Sequence, residues 1–344
     1  MVVNLVGPDG ALPLPWLQAP LVQALAGERS HALLLRAAPG AGALALALTL
    51  AQSRLCEAPR AQGLACGQCG ACRLVQAQGH PDLFVLLPEI DRRESGWLLA
   101  ANDKPEADEG KRKPSRQIRI DEVRGLLDWV SKTSSRGRGK MVVLHPAEAL
   151  NHHAASALLK TVEEPPEGTR LILTCSDAMH VMPTVRSRCQ QLTMPLLDLA
   201  AAAAWLAGQG LAEPQALLAA CDGRPLEVLA WQQAGIDAAR WSARPEQLAA
   251  GRAGVLAGLG VPLVLELLLK VCHDAMALVV AGRPRYFAAD RVPVGAALAS
   301  LCTWQRELVE LARAAEHPWH EGLAIDALVS GAQRALSPRR SRPV

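Results

Sequence analysis

Apolar and polar residues follow one another over the first 196 positions in a way that predicts strands alternating with helices. Continuous apolar runs at 31–36, 140–145 and 170–176 are typical of strands buried on both faces, and a further short apolar run lies at 82–88. Helical periodicity occupies the segments between them, at 44–56, 118–134 and 151–163. Repeated strand–turn–helix units predict a parallel sheet covered by helices on both faces.

Helix ends and loops are signalled by particular residues. Asp121 is the expected N-cap of the helix within 118–134, and Pro165–Pro166 ends the helix at 151–163 because proline cannot continue it. The stretch 89–116 is dense in charge and poor in aliphatic residues, so we expect a solvated loop there.

The strand pattern fades after residue 197, and the remaining chain predicts helices only. Their expected positions, with a break at Gly223, are 198–208, 213–221, 263–281, 294–315 and 321–336. The chain therefore divides into an α/β part and a helical part.

Composition agrees with a packed protein of more than one domain. The chain has 344 residues, of which 50% are hydrophobic and 20% charged, so it is too long for one ordinary core and too apolar to be disordered. Aromatic residues make up only 3%, which leaves cores of Ala, Leu and Val and favours helices. The formal charge of +3 excludes a histone-like polyanion binder, though not a local basic patch.

Neither a secretory leader nor a membrane span is indicated. The N-terminus lacks a basic segment followed by an apolar run, and the longest apolar stretch, 253–265, falls short of the roughly 20 residues a span needs. We therefore expect a cytoplasmic protein with no membrane partner, in which the nine cysteines stay reduced.

The segment after the first strand has the layout of a phosphate-binding loop but lacks its chemistry. Gly40 and Gly42 stand at the expected glycine places, whereas Ala43 replaces the lysine that reaches phosphate and Leu44 replaces the hydroxyl ligand of Mg²⁺. The strand at 140–145 ends in His145–Pro146, where an NTPase carries acidic residues. A plain turn with two glycines is the alternative; on either view we expect no ATP hydrolysis and no bound nucleotide cofactor.

Four cysteines predict a structural zinc site. They lie within 17 residues, with two C-x-x-C spacings, at Cys56, Cys66, Cys69 and Cys72. Four thiolates complete the tetrahedral shell of Zn²⁺ and leave no position for catalysis. Free thiols, redox pairs and an iron–sulfur cluster are the alternatives, and His80 is a possible substitute ligand.

Two longer motifs resemble those of a known protein family. The segment SALLKTVEEPPEGTRLILTCSD at 156–177 and TVRSRCQ at 184–190 resemble bacterial clamp-loader AAA+ subunits, as does a cysteine module directly after the phosphate-loop helix. The chain combines a degenerate phosphate loop with an intact Ser-Arg-Cys motif. In this combination it is similar to the non-hydrolysing clamp-loader subunits rather than to the tau/gamma ATPase. The resemblance is strong over residues 10–195 and rests only on helical content beyond them.

The resemblance implies three domains. They are a RecA-like AAA+ domain at 1–196, with the zinc module at about 56–80 and the charged loop at about 89–116, a helical lid at 197–236, and a helical collar at 237–344. It also implies a place in a hetero-pentamer of the DNA polymerase III holoenzyme with tau/gamma-type ATPase subunits and a delta subunit. That assembly acts on a sliding clamp and primed DNA.

Site residues follow from the same resemblance. Arg188 would complete a neighbour's ATP site as an arginine finger, with Ser187 setting its loop; an ordinary surface ion pair is the alternative. The lid position at which active members sense nucleotide corresponds to Leu226, with Arg224 two residues earlier. We interpret Lys160 and Glu163–Glu164 primarily as solvated charges.

We therefore expect a non-hydrolysing clamp-loader subunit, without ATPase or polymerase activity of its own. Two rivals remain open: an ATPase-type loader subunit with an unusual phosphate loop, and a zinc-containing DNA-binding module. The basic stretch 132–140 reads as a mobile loop or as a contact to DNA phosphates.

Overall fold

The computed structural model describes residues 5–27, 30–95, 97, 114–314 and 320–337. It divides into two compact units, Met1–Asp198 and Leu199–Val344, which are described separately below. The predicted domain boundaries at 196 and 236 stay predictions.

The first unit is built on a five-stranded sheet in which every pair is parallel. The strand order is β2-β3-β4-β1-β5. The strands are β1 (Ala32–Arg36), β2 (Leu83–Leu86), β3 (Lys140–Leu144), β4 (Thr169–Cys175) and β5 (Gln190–Thr193). The mixed α/β class and its parallel sheet are thereby confirmed.

Seven helices accompany this sheet in the described residues. They are α1 (Gln18–Ala26), α2 (Ala43–Leu55), α3 (Gly70–Gln76), α4 (Glu89–Ser95), α5 (Ile120–Val130), α6 (His152–Glu163) and α7 (Pro183–Arg186). Leu34 and Leu173 share a core with α5 and α6. Since side chains alternate across a strand, Leu35 and Ile172 point to the opposite face, where α2 packs. Helices therefore cover both faces of the sheet.

Two local predictions are corrected, and one strand is found that the sequence does not predict. The edge strand β5 was not expected, because its Gln-Gln-Leu-Thr sequence is largely exposed and has no apolar run. Asp121 is not the N-cap: the N-cap is Arg119, two residues earlier, and the Glu122 carboxylate accepts the N–H of Arg119 at 2.6 Å. The predicted charged loop contains α4 at 89–95, whose acidic first turn and basic last turn suit the helix dipole. Residues 98–113 of that loop lie outside the described residues.

The second unit is helical throughout its described residues. Its helices are α8 (Leu199–Gly208), α9 (Pro214–Ala220), α10 (Pro225–Gln233), α11 (Ala238–Ser242), α12 (Arg244–Ala249), α13 (Val261–Ala281), α14 (Leu298–Arg313) and α15 (Glu321–Leu336). One core joins them, and Trp231 and Trp241 are fully buried in it. Within the described part of the chain, no helix combines the length and apolarity needed to cross a membrane.

Candidate functional site

The turn between β1 and α2 retains the strand, glycine-containing turn and helix layout of a phosphate loop. Gly42 N-caps α2 with φ +96°, a left-handed conformation that favours glycine. A Cβ there would lie 2.5 Å from Cδ1 of Leu14. A residue with a side chain would therefore be strained in its backbone and would also collide with Leu14.

Apolar groups pack against this turn where a nucleotide site would need polar ones. The Trp16 indole Nε1 donates to the carbonyl of Ala41 at 2.9 Å, and Leu14 is buried beside Gly42. Leu44 is buried as well. Neither Ala43 nor Leu44 offers a cation or a hydroxyl, so the turn has no side chain to hold a γ-phosphate or Mg²⁺.

The end of β3 carries a neutral imidazole in place of a carboxylate. Nδ1 of His145 lies 2.6 Å from Oγ1 of Thr174 on the adjacent strand β4. Desolvation lowers the pKa of His145 to about 4, so the ring is uncharged at neutral pH.

One oxygen of the next carboxylate along the chain, that of Glu148, is already engaged, whereas its Oε2 is buried and has no hydrogen-bond partner among the described residues. Oε1 of Glu148 accepts hydrogen bonds from the N–H groups of Ser176 and Asp177 and from the Ser176 hydroxyl, at 2.6–3.0 Å. It therefore braces the loop after β4. With His145 neutral and Pro146 unable to ligate a metal, the carboxyl edge of the sheet lacks the acidic pair of a hydrolytic site.

The four predicted cysteines converge into one cluster. Their sulfurs, from Cys56, Cys66, Cys69 and Cys72, all lie within 4.8 Å of one another. The closest sulfur pairs are 3.6, 3.8 and 4.0 Å apart. A tetrahedral site with Zn–S bonds of about 2.3 Å needs sulfurs about 3.8 Å apart. The spacing therefore fits a four-coordinate metal ion of zinc's size.

Backbone N–H groups point at these sulfurs. Cys66 Sγ accepts the N–H groups of Gln68 at 3.4 Å and of Cys69 at 3.3 Å. The hydrogen bond from Gln68 is the main reason that the pKa of the Cys66 thiol falls to about 6. Thiolate is the form that binds metal, so the local backbone favours the ligating state.

Glycine makes this tight turn possible. Gly67 has φ +76°, and a Cβ on it would lie 1.8 Å from the carbonyl oxygen of Gly7. The N-terminal segment thus passes directly over the turn. Gln52 on α2 exchanges two hydrogen bonds with Val6, at 2.9 and 3.1 Å, and fixes that segment from the other side.

His80 does not join the cluster. Its Nδ1 accepts the N–H of Asp82 at 3.0 Å, and the four cysteines form the sole group of possible metal ligands found among the described residues. Next to Cys56, Glu57 pairs with Arg136, and the buried Asp82 accepts the N–H of Arg136 at 2.9 Å. The Glu57–Arg136 ion pair ties the cysteine module to the segment before β3.

Arg188 lies just beyond α7 with its guanidinium at the surface. Its Nε donates to Oε1 of Glu163, the last residue of α6, and its Nη1 donates to the carbonyl of Thr184 at 2.8 Å. Its side chain is 36% exposed. Oγ of Ser187 lies 3.3 Å from Nη1 of Arg188 and itself donates to Thr184, so Ser187 supports this arrangement. Nη2 makes no hydrogen bond with any described residue.

Arg224, which lies near the predicted nucleotide-sensing position of the lid, forms ion pairs and hydrogen bonds within the second unit. Arg224 pairs with Glu227 at 2.5 Å and with Glu266 at 3.2 Å, and its Nε donates to the carbonyl of Cys221 at 2.8 Å. Leu226 is half-buried and has no charge.

Sequence reasoning missed three partners in these sites. Glu163 is exposed at the end of α6, as a solvated charge should be, but the sequence does not predict its pairing with Arg188. Thr174 and Leu14 carry no signal in the sequence. Each contact joins residues far apart in the chain, so no local pattern could have revealed it.

Comparison with known proteins gives a consistent family. A family model described as "DNA polymerase III, delta subunit" matches residues 19–198. DNA polymerase III subunit delta' of Pseudomonas aeruginosa is 41% identical over 218 residues, which cover 62% of this chain and 59% of that relative. The Yersinia pestis delta' subunit is 34% identical over 273 residues, covering 76% and 71%.

More distant matches agree. The tau subunit of Escherichia coli is 31% identical over 173 residues, half of this chain and 23% of that relative. A gamma subunit-related protein of Thermotoga maritima has a solved structure that aligns with a TM-score of 0.50 over 94% of this chain and 100% of its own. Its 13% identity supports a shared fold alone.

Proposed function

The chain belongs to the DNA polymerase III delta-subunit family and matches its delta' members, and from that premise we propose that it is a clamp-loader subunit. We propose further that it hydrolyses no ATP itself and presents Arg188 to the ATP site of a neighbouring subunit. The cytoplasm is its proposed location.

The proposal that this chain acts only on a neighbour's ATP site rests on the difference between its phosphate loop and Arg188. The side chains that hold phosphate in cis are replaced by Ala43 and Leu44, whereas the Arg188 guanidinium stands exposed at the end of a braced turn. A guanidinium has fixed charge and five N–H donors, which suits stabilising charge on a transferred phosphoryl group. A subunit built in this way contributes to catalysis only in trans.

The brace leaves part of the guanidinium free for such a ligand. Glu163 and Thr184 take the N–H groups of Nε and Nη1, while both N–H groups of Nη2 have no acceptor within the described part of the chain. Nη2 is therefore the group we assign to the neighbour's phosphate.

The proposed partners follow from the relatives. Tau and gamma subunits match half of this chain, so ATPase subunits of that type are the neighbours that would receive Arg188. With a delta subunit they would form the hetero-pentamer that loads the sliding clamp onto primed DNA. ATP bound at the shared interface would order the ring.

The metal proposal is separate from catalysis. We assign Zn²⁺ to the four cysteines, where it would cross-link the start of α3 to the end of α2. Four sulfur ligands leave no open position, so its contribution is to folding.

The test is steady-state ATP hydrolysis by the assembled loader with clamp and primed DNA. We expect Arg188→Ala to reduce the stimulated rate strongly, since removing an arginine supplied in trans costs about 10³–10⁵ in related phosphoryl transfers. Arg306→Ala, which removes an exposed arginine of α14, is the matched control. An unchanged rate in Arg188→Ala would refute the finger role.

The two rivals predict different results. An autonomous ATPase would turn over ATP as a purified chain, which the residues at the phosphate loop oppose. A zinc-containing DNA-binding module would bind DNA selectively and form no stable complex with a loader ATPase, and the net charge of +3 opposes it.

A further inference from the structure

A small apolar pocket lies in the second unit between α13, α14 and α15. Its volume is about 160 Å³. Most of its walls are aliphatic, and they include Val261, Leu265, Leu308 and Leu328. An apolar cavity of about 150 Å³ accommodates one benzene ring. The pocket therefore has the size and the polarity to take one ring-sized apolar group.

One hydrogen-bond donor in the pocket wall lacks an acceptor. Trp304 lines the pocket and is only 3% exposed, yet its indole Nε1 forms no hydrogen bond with any described residue. Buried indole N–H groups usually have a partner, because an unpaired donor away from water is costly. This N–H therefore points to an acceptor that the described residues do not supply.

A glycine leaves an open position in front of this donor. Gly331 lies inside α15 and does not have a left-handed φ. A Cβ built on Gly331 would lie 3.7 Å from Nε1 of Trp304 and 4.0 Å from Nη2 of Arg334, which are ordinary van der Waals distances. Glycine inside a helix lowers stability relative to alanine, and neither the backbone nor close packing requires it here. Its effect is to open a space that two N–H donors flank.

Two charged residues at the pocket set the charge of its ligand. The guanidinium of Arg334 forms neither an ion pair nor a hydrogen bond within the described ranges. Glu307 also lines the pocket and is likewise unpaired in the part of the chain that the structure describes. A guanidinium and an indole N–H beside one open position suit a carboxylate, whereas Glu307 repels a second negative charge. The arrangement therefore favours a ligand with a single carboxylate.

We propose that this pocket binds a small monocarboxylic acid whose apolar part is the size of one ring. The apolar part lies among the aliphatic walls, and the carboxylate accepts the N–H groups of Trp304 and Arg334 beside Gly331. A free small molecule is the occupant we assign, because an apolar side chain within a partner polypeptide carries no carboxylate to meet these donors. The proposal is independent of Arg188 and of the cysteine cluster.

The experiment uses the full chain and ligand-observed NMR titrations, which measure weak binding directly. The probe is phenylacetate, and phenethyl alcohol is its uncharged counterpart of similar shape. The test variant is Gly331→Ala, whose methyl group occupies the open position. The matched control is Gly125→Ala, which adds the same methyl group inside α5, where no heavy atom lies within 4 Å of it. A second test variant, Arg334→Gln, removes the charge and leaves the open position unchanged.

We expect the wild type to bind phenylacetate with a dissociation constant of about 1 mM or below, and phenethyl alcohol at least about tenfold more weakly. Gly331→Ala should bind phenylacetate at least about tenfold more weakly than the wild type, and Gly125→Ala should match the wild type. Arg334→Gln should bind the acid and the alcohol about equally. Both alanine variants should melt at or above the wild-type temperature, because alanine favours the helix, so lost binding cannot be ascribed to unfolding.

Other outcomes would overturn the proposal. Equal binding of phenylacetate by Gly331→Ala and the wild type would show that the acid does not bind at this pocket. Tighter binding of the alcohol than of the acid would show that the two donors do not hold a carboxylate. Sedimentation velocity tests a different occupant: if the wild type self-associates and Gly331→Ala does not, the pocket holds a side chain of a second copy and the assignment to a small acid is wrong.

Discussion

Replacing one cysteine of the cluster tests whether a metal holds the module around it. Cys66 is the most informative position, because its sulfur accepts two N–H groups and lies 3.6 Å from the sulfur of Cys56. In Cys66→Ser the hydroxyl can keep a local hydrogen bond but cannot replace a thiolate. We therefore expect the metal to be lost while the backbone turn is only locally disturbed.

The magnitude follows from linkage between binding and folding. A ligand that binds only the folded state at 1,000 times its dissociation constant stabilises that state by about 4 kcal/mol. For a unit of this size, 1 kcal/mol shifts the melting temperature by about 2–4 °C, so loss of the metal should lower it by about 10 °C. Adding a strong chelator to the wild type should produce a shift of the same size.

The assay combines metal analysis with thermal unfolding of freshly purified, reduced protein. The wild type should hold about one equivalent of zinc, and Cys66→Ser much less than that. Cys302→Ser, at an exposed cysteine of α14, should match the wild type in both measurements. A wild type without metal, or a melting temperature unaffected by the chelator, would refute the reasoning.

Three further predictions concern the residues around the catalytic candidates. Glu163→Ala should slow hydrolysis by the assembled loader by at most about fivefold, since an exposed ion pair contributes only about 0–1 kcal/mol; a loss equal to that of Arg188→Ala would contradict its role as a brace. Gly42→Ala should lower the free energy of unfolding by about 1–3 kcal/mol in urea titrations, through strain at φ +96° and the collision with Leu14; an unchanged midpoint would show that the turn can relax. The pKa of His145, about 4 in the folded state against an ordinary 6.5, means that the unfolded chain binds more protons between these values. Stability should therefore fall by up to about 3 kcal/mol as pH drops from 6.5 to 4, and His145→Gln should flatten this dependence; an equal slope in that variant would contradict the assignment.

The buried strands of the sheet could be predicted from the sequence, because burial requires apolar residues. β1, β3 and β4 are buried strands and read as apolar runs, so their positions follow from the sequence. Among the described residues, β5 pairs only with β1, at the sheet edge, and its exposed residues carry no apolar signal. The predicted N-cap of α5, Asp121, lies two residues after the observed one, Arg119, whose backbone N–H donates to the carboxylate of Glu122.

In the candidate sites too, contacts within a short segment could be predicted from the sequence, whereas contacts between distant segments could not. Spacing alone predicted the grouping of Cys56, Cys66, Cys69 and Cys72, because C-x-x-C turns are local structures. By contrast, the ion pair from Glu163 to Arg188 and the packing of Leu14 on Gly42 join segments about 25 residues apart. Such contacts depend on how the whole unit packs, which periodicity does not encode.

The central claim is that Arg188 acts on the chemistry of a neighbouring subunit. Its most direct test is the single-turnover rate of ATP hydrolysis in the fully assembled loader, measured with ATP already bound, clamp and primed DNA present, and either wild-type chain or Arg188→Ala incorporated. The account predicts a normal assembly and ATP occupancy with a hydrolysis rate reduced at least about 100-fold at the adjacent site. An unchanged single-turnover rate in a complex that demonstrably contains Arg188→Ala would contradict it.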